Sequence, residues 1–193
     1  MNEQFLAWGW TGYGICLALL IASRGMDFLS TWLATPRLLL EANPLARRLG
    51  WKWGLIVNGV LCLAFSFWPL PAIIIATTSM LVAARNFQSA WLMRYLGEEN
   101  YRSWMANHIR RVPLGLYLIC VLAQSLLVGS IGFALTLFSG YRLIPFGIGV
   151  GMIAYALAVT VYTLLAFWRI RRHPDPVQSV TDPHRCSSEI FRE

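Results

Sequence analysis

The sequence predicts an all-α, polytopic integral membrane protein: a helical bundle of about five transmembrane helices, N-terminus outside and C-terminus inside. Three observations predict it. First, 57% of the 193 residues are hydrophobic and only 13% are charged, where soluble domains carry about 25% charged residues. So much apolar surface exceeds what a soluble core of this size could bury, and a bilayer is its natural solvent. Second, the apolar residues fall in long runs separated by short polar connections. Third, the basic residues behind the net charge of +7 gather at the ends of those runs, on alternate connections, which is how membrane topology is written.

The first run covers residues 10–33 and is long enough to cross about 30 Å of hydrocarbon at about 1.5 Å per residue. No positive charge precedes it in MNEQFLAWGW, so it reads as a retained span and not as a secretory signal. Asn43-Pro44 then offers a helix start, with Asn as cap and Pro at the first helical position. A short interfacial helix should run from Pro44 to Leu49 and stop at Gly50. Two further spans, 53–68 and 72–93, are separated only by Trp68-Pro69-Leu70-Pro71. Proline ends one helix and starts the next, so the pair reads as a tight helical hairpin. Glu99–Arg111 places Tyr101, Trp104, Met105 and Ile109 on one side and basic residues on the other, the pattern of an amphipathic surface helix on anionic lipid. Spans four and five cover 113–137 and 143–168, completing a bundle domain of residues 1–168. Residues 169–193 form a basic cytoplasmic tail whose polar, proline-containing composition predicts disorder.

Orientation follows from Lys and Arg. Arg37, Arg47, Arg48 and Lys52 lie after span one, Arg94, Arg102, Arg110 and Arg111 after span three, and Arg169, Arg171 and Arg172 after span five. The opposite face carries only Arg142. The rule that cytoplasmic loops are positive then places the N-terminus outside. Five spans satisfy it throughout, and the chain is expected in a prokaryotic cytoplasmic (inner) membrane. Trp8, Trp10 and Trp68 would form the outer aromatic belt, and Trp32, Trp51, Trp53, Trp91, Trp104 and Trp168 the inner one.

Several function classes are disfavoured. No basic patch with interleaved aromatics stands apart from the span ends, so nucleic acid is not an expected partner. The four cysteines form no C-x-x-C pair, which argues against a disulfide framework or a thiolate metal site. The three histidines, His108, His173 and His184, all lie outside the apolar runs, which argues against a bis-histidine haem. There is no G-x-x-x-x-G-K-S/T, H-E-x-x-H or G-x-S-x-G. No cofactor is expected, and the reading leans away from an enzyme.

What stands out is polar. Arg24, Asp27 and Thr31 recur at i, i+3 and i+7 on one face of span one. Span three adds Ser79, Asn86 and Ser89 in register, with Arg85 beside them. Counted from the outer ends, Asp27 and Asn86 lie at about the same depth, roughly 22–25 Å down. Intramembrane charges are costly, so they face the bundle interior and pair. The candidate ion- or ligand-binding cluster is therefore Arg24, Asp27, Thr31, Glu41, Asn43, Arg85 and Asn86. Arg24–Asp27 and Arg85–Glu41 would be its ion pairs. Two carboxylates with Asn and Thr oxygens also suit a hard divalent cation, with Asp27 and Glu41 as its ligands, although the two arginines oppose it.

The pattern D-x-x-x-T (Asp27, Thr31) followed by E-x-N-P (Glu41, Asn43, Pro44) resembles a group of small uncharacterised prokaryotic membrane proteins of unknown function. The resemblance covers the first three spans. It implies that these residues form one unit and carries no activity with it.

Spans four and five carry no acidic residue and are expected to supply packing surface. Gly147 and Gly151 form G-x-x-x-G, which lets a second backbone approach, from span four, a second copy of the chain or another protein. The leading expectation is a small transporter or channel-like protein with an ion- or proton-binding cluster. An accessory subunit of a larger membrane complex is the alternative, and a membrane-embedded enzyme acting on a lipid phosphate the third. The expected partners are membrane lipids, with anionic headgroups at the cytoplasmic face, and further copies or other membrane subunits.

Overall fold

In the computed structural model, residues 9–38 and 44–172 are described. They form six helices and, among the described residues, no strand: α1 Gly9–Ala34, α2 Pro44–Phe65, α3 Pro69–Leu96, α4 Glu98–Arg111, α5 Leu114–Leu137 and α6 Leu143–Arg172. Four of them, α1, α3, α5 and α6, are long and apolar enough to cross a membrane. The protein is an all-helical integral membrane bundle.

Helix α2 does not reach that length of uninterrupted apolar sequence. Gly50 breaks it at φ 65°, ψ −175°, a region essentially closed to residues with a side chain. The expected stop at Gly50 is therefore real. It leaves residues 51–65 as a straight segment of about 22 Å. Proline at Pro69 sets the start of α3, whose cap residue Trp68 is extended. The same device recurs at Gly97, φ 76° and ψ 154°, which separates α3 from α4.

Helix α3 is the central element. Helix α1 packs along one side of it, α6 along the other, and α5 on α6. Helix α2 flanks α1 and α3. Small residues let these axes approach. Ala72, Ala76, Ala83 and Ala90 of α3 are all buried. Cys16 and Leu20 of α1, Cys62 of α2 and Ala72 and Ala76 of α3 make one apolar core. The cysteines there serve as small hydrophobes.

The glycine motif of α6 faces α3. A β-carbon at Gly147 would lie 2.9 Å from a methyl of Ile73, and one at Gly151 would lie 2.8 Å from Cβ of Thr77. Thr78 Oγ1 donates to the Gly151 carbonyl at 3.1 Å. The partner left open between span four, a second copy and another protein is thus span three of the same chain. Span four uses a different glycine pair: a β-carbon at Gly132 would sit 2.7 Å from the Gly149 carbonyl.

At the basic end, α4 runs across the bundle. Of its expected lipid-facing stripe, Tyr101 and Ile109 are buried in the protein, while Trp104 stays 39% exposed. Burial pushes the Tyr101 phenol up from its ordinary value. Helix α6 continues to Arg172, four residues past the expected boundary at 168. Arg171 explains part of this extension: it lies over the Phe167 ring at 4.6 Å and donates to the Val112 carbonyl at 2.8 Å, tying α6 to the end of α4. Residues 173–193, the rest of the expected tail, lie outside the described residues.

Candidate functional site

The site grows from Arg24. A guanidinium inside a bilayer must find acceptors, because lipid supplies none. Arg24 finds them on three helices. Nη1 donates to Asp27 Oδ2 at 2.9 Å, one turn along α1, and to Ser79 Oγ of α3 at 3.0 Å. Nε donates to Asn58 Oδ1 of α2 at 2.8 Å, and Nη2 reaches the same oxygen. Asn58 is held in turn, since its Nδ2 donates to the Gly54 carbonyl at 2.8 Å. Arg24 lies about 22 Å from the start of α1, and Ser79 about 15 Å from the start of α3. The charge pair therefore sits within the spanning length of the bundle, toward its basic end, 29% and 17% exposed at its two side chains.

Polar contacts continue along the α1/α3 seam toward the basic end. Asn86 Nδ2 donates to Ser30 Oγ and Thr31 Oγ1, both at 3.3 Å. Ser30, fully buried, donates to the Asp27 carbonyl at 2.8 Å. One turn on, Thr35 Oγ1 donates to Glu98 Oε2 at 2.9 Å, and the Arg37 backbone N–H to Glu98 Oε1 at 2.7 Å. Glu98 thereby binds the end of α1 to the start of α4. A cleft of about 450 Å³ opens beside it, lined by Arg37, Arg94, Glu98, Glu99 and Asn100 among others. Polar groups thus follow one another from within the bundle to a water-facing cleft.

Of the expected cluster, the structure brings together Arg24, Asp27, Thr31 and Asn86. Arg85 is not with them. It leaves α3 on the opposite side, where Nη2 donates to Thr163 Oγ1 of α6 at 3.2 Å. Consecutive helical residues point about 100° apart, so Asn86 and Arg85 cannot both face α1. Arg85 Nη1 is buried without a hydrogen-bond partner, and such a group costs about 1–3 kcal/mol, more when charged. Glu41 and Asn43, and with them the expected Arg85–Glu41 pair, lie outside the described residues. Among the described residues, no three His, Cys, Asp or Glu side chains gather as a metal-ligand set.

Asn58, Thr35 and Glu98 escaped the sequence reading, Thr35 because a threonine at the end of an apolar run carries no signal of its own. Asn58 is the lone amide within the apolar run of α2, and an amide at that depth is itself a signal of an interhelical bond. Glu98 gave none, because an acidic residue at a helix start reads as an ordinary partner of the helix dipole. A second cavity of about 400 Å³ lies between α1 and α2, walled by Leu17, Ile21, Phe28 and Leu55, with Arg24 and Asn58 as its polar floor. No family model, curated protein or solved structure matches the chain.

Proposed function

We propose that the protein is a small transporter or channel-like protein of a prokaryotic cytoplasmic membrane, binding an ion or proton at the Arg24–Asp27 cluster. The observation that carries this reading is the succession along one seam of three hydrogen-bonded polar groups: Ser79, Arg24 and Asp27, then Ser30, Asn86 and Thr31, then Thr35 and Glu98. Intramembrane polar groups that face the bundle interior mark ion and proton pathways. A purely structural pair would need no continuation to the cleft. In the full reading, α2 completes five spans and the basic end faces the cytoplasm. The chain alone in liposomes, with a trapped pH dye or a cation gradient, should give flux above empty vesicles. Flux at the level of empty vesicles for protons and for mono- and divalent cations refutes the reading.

One observation favours an accessory or assembly role as the second reading. Arg24 directs its donors to three fixed acceptors on three helices, which suits an internal clamp. The double change Arg24→Met with Asp27→Leu separates the two, because removing both charges leaves no stranded ion. An internal clamp predicts that the double variant keeps yield and cellular function. Transport predicts that it keeps yield and loses flux.

A further inference from the structure

The α3/α5/α6 junction holds a charge that the proposed pathway does not use. Helices α3, α5 and α6 contain no acidic residue along their whole lengths. Arg85 has one bond, to the neutral hydroxyl of Thr163, and a buried nitrogen with no acceptor. A guanidinium presents its N–H groups in a planar fork that matches two oxygens of a carboxylate or phosphate. An oxyanion is the acceptor that such a fork matches best.

Depth and surroundings narrow its class. Arg85 is about 24 Å from the outer proline-set start of α3, and Thr163 about 30 Å from the start of α6. With a hydrocarbon core of about 30 Å, both reach the far edge of that core, at the end where the basic residues gather. This is the level just inside the lipid phosphates. From Thr163, α6 continues on one face through Phe167 to Arg171, at i+4 and i+8. Phe167 stacks on Tyr117 of α5 at 4.3 Å between ring centroids, and Arg171 covers its other side at 4.6 Å. Along this face come Arg85 with Thr163, then the Phe167 and Tyr117 rings, then the second guanidinium, that of Arg171. Basic recesses between membrane helices at such a face bind lipid headgroups.

We propose that this junction is a receptor site for a phosphate group, carried by an anionic phospholipid or free in solution, with Arg85 and Thr163 as its inner contacts and Arg171 at its rim. The site is separate from the α1/α3 seam and does not rest on transport. The test uses the full chain purified in an uncharged detergent with phosphatidylcholine. Phosphatidylglycerol and, separately, inorganic phosphate are titrated, with thermal midpoint and lipid retention by native mass spectrometry as readouts. We expect phosphatidylglycerol to raise the midpoint by several degrees, and Arg85→Gln to weaken retention at least tenfold. Arg85→Lys, which keeps the charge and loses the fork, should fall between them. Arg48→Gln, an exposed basic residue elsewhere on the same end, should retain lipid as the native chain does. A shift with inorganic phosphate and none with lipid assigns the free ion as the source. Equal retention by Arg85→Gln and the native chain, or no shift with either phosphate probe, overturns the proposal. If Arg85→Gln lowers yield and adding Glu41→Gln restores it, the partner is an internal carboxylate, and that too overturns it.

Discussion

At the scale of single residues, the energetics of the seam turn on whether each donor keeps its acceptor. Asp27→Asn keeps the shape and removes the counter-charge. Breaking a buried pair this way costs about 3–5 kcal/mol, because the remaining ion is left in low dielectric. Asn58→Ala keeps the pair but takes the acceptor from both Nε and Nη2 of Arg24. Leaving buried donors unmatched costs about 1–3 kcal/mol each, so a fall in thermal midpoint close to that of Asp27→Asn is expected. Ser79→Ala removes one of two acceptors from Nη1 and should fall by less. Thermal unfolding of the three variants in one detergent checks the order. An Asn58→Ala midpoint equal to the native one would mean that lipid-side water satisfies Arg24. The Arg24–Asp27 pair was legible in the sequence because its spacing is local, one helical turn. Arg85 was not, because its neighbour Thr163 lies 78 positions away, and depth alone does not tell which side of a helix a residue leaves from.

At the scale of elements, two features decide how the helices meet. One is the glycine pair of α6. Leucines at Gly147 and Gly151 would drive side chains into Ile73, Thr77 and the Ile74 carbonyl of α3. Overpacking of this kind costs about 1–3 kcal/mol per site. Gly147→Leu with Gly151→Leu should therefore insert but unfold at lower temperature, with no change in oligomer size by detergent chromatography. A change in size with the native midpoint kept would return the motif to an intermolecular role. The other feature is the pair of glycine joints. Gly50 and Gly97 both adopt positive φ with extended ψ, a region that costs other residues about 1–3 kcal/mol. Gly97→Ala should loosen α4 from the end of α3 and with it the bonds from Glu98 to Thr35 and to the Arg37 N–H. Faster proteolysis between α3 and α4, with the bundle otherwise intact, is the expected outcome. Helix positions were readable in advance because apolar runs, prolines and glycines are local signals. Which helix a glycine stripe faces was not, because small residues allow close approach without naming the partner.

At the scale of the whole molecule, the question is how the chain threads the bilayer. Four helices cross by length and composition, and an even number alone would place both termini on one side. The Lys and Arg distribution asks for an odd number, since Arg142 stands alone on one face while the connections after α1, α3 and α6 are basic. Residues 51–65 of α2 are where the two counts differ. They provide about 22 Å, less than the hydrocarbon thickness of about 30 Å, yet Cys62 near their end is buried against Cys16 and Ala72, close to the starts of α1 and α3. A segment that begins at the basic end and reaches the level of those starts runs along the length of the bundle, which supports the proposed fifth span. The shortfall is met if the bilayer thins locally or the flanking Trp51, Trp53 and Trp68 sit at the interfaces, at modest cost. A chain with Cys16, Cys62, Cys120 and Cys186 changed to Ala and one new cysteine at Arg142 should react with an impermeant thiol reagent added outside intact cells. The same background with the new cysteine at Asn100 should react only after the membrane is opened. If both positions label from the same side, α2 does not cross, and the five-span reading fails along with the direction of the polar seam.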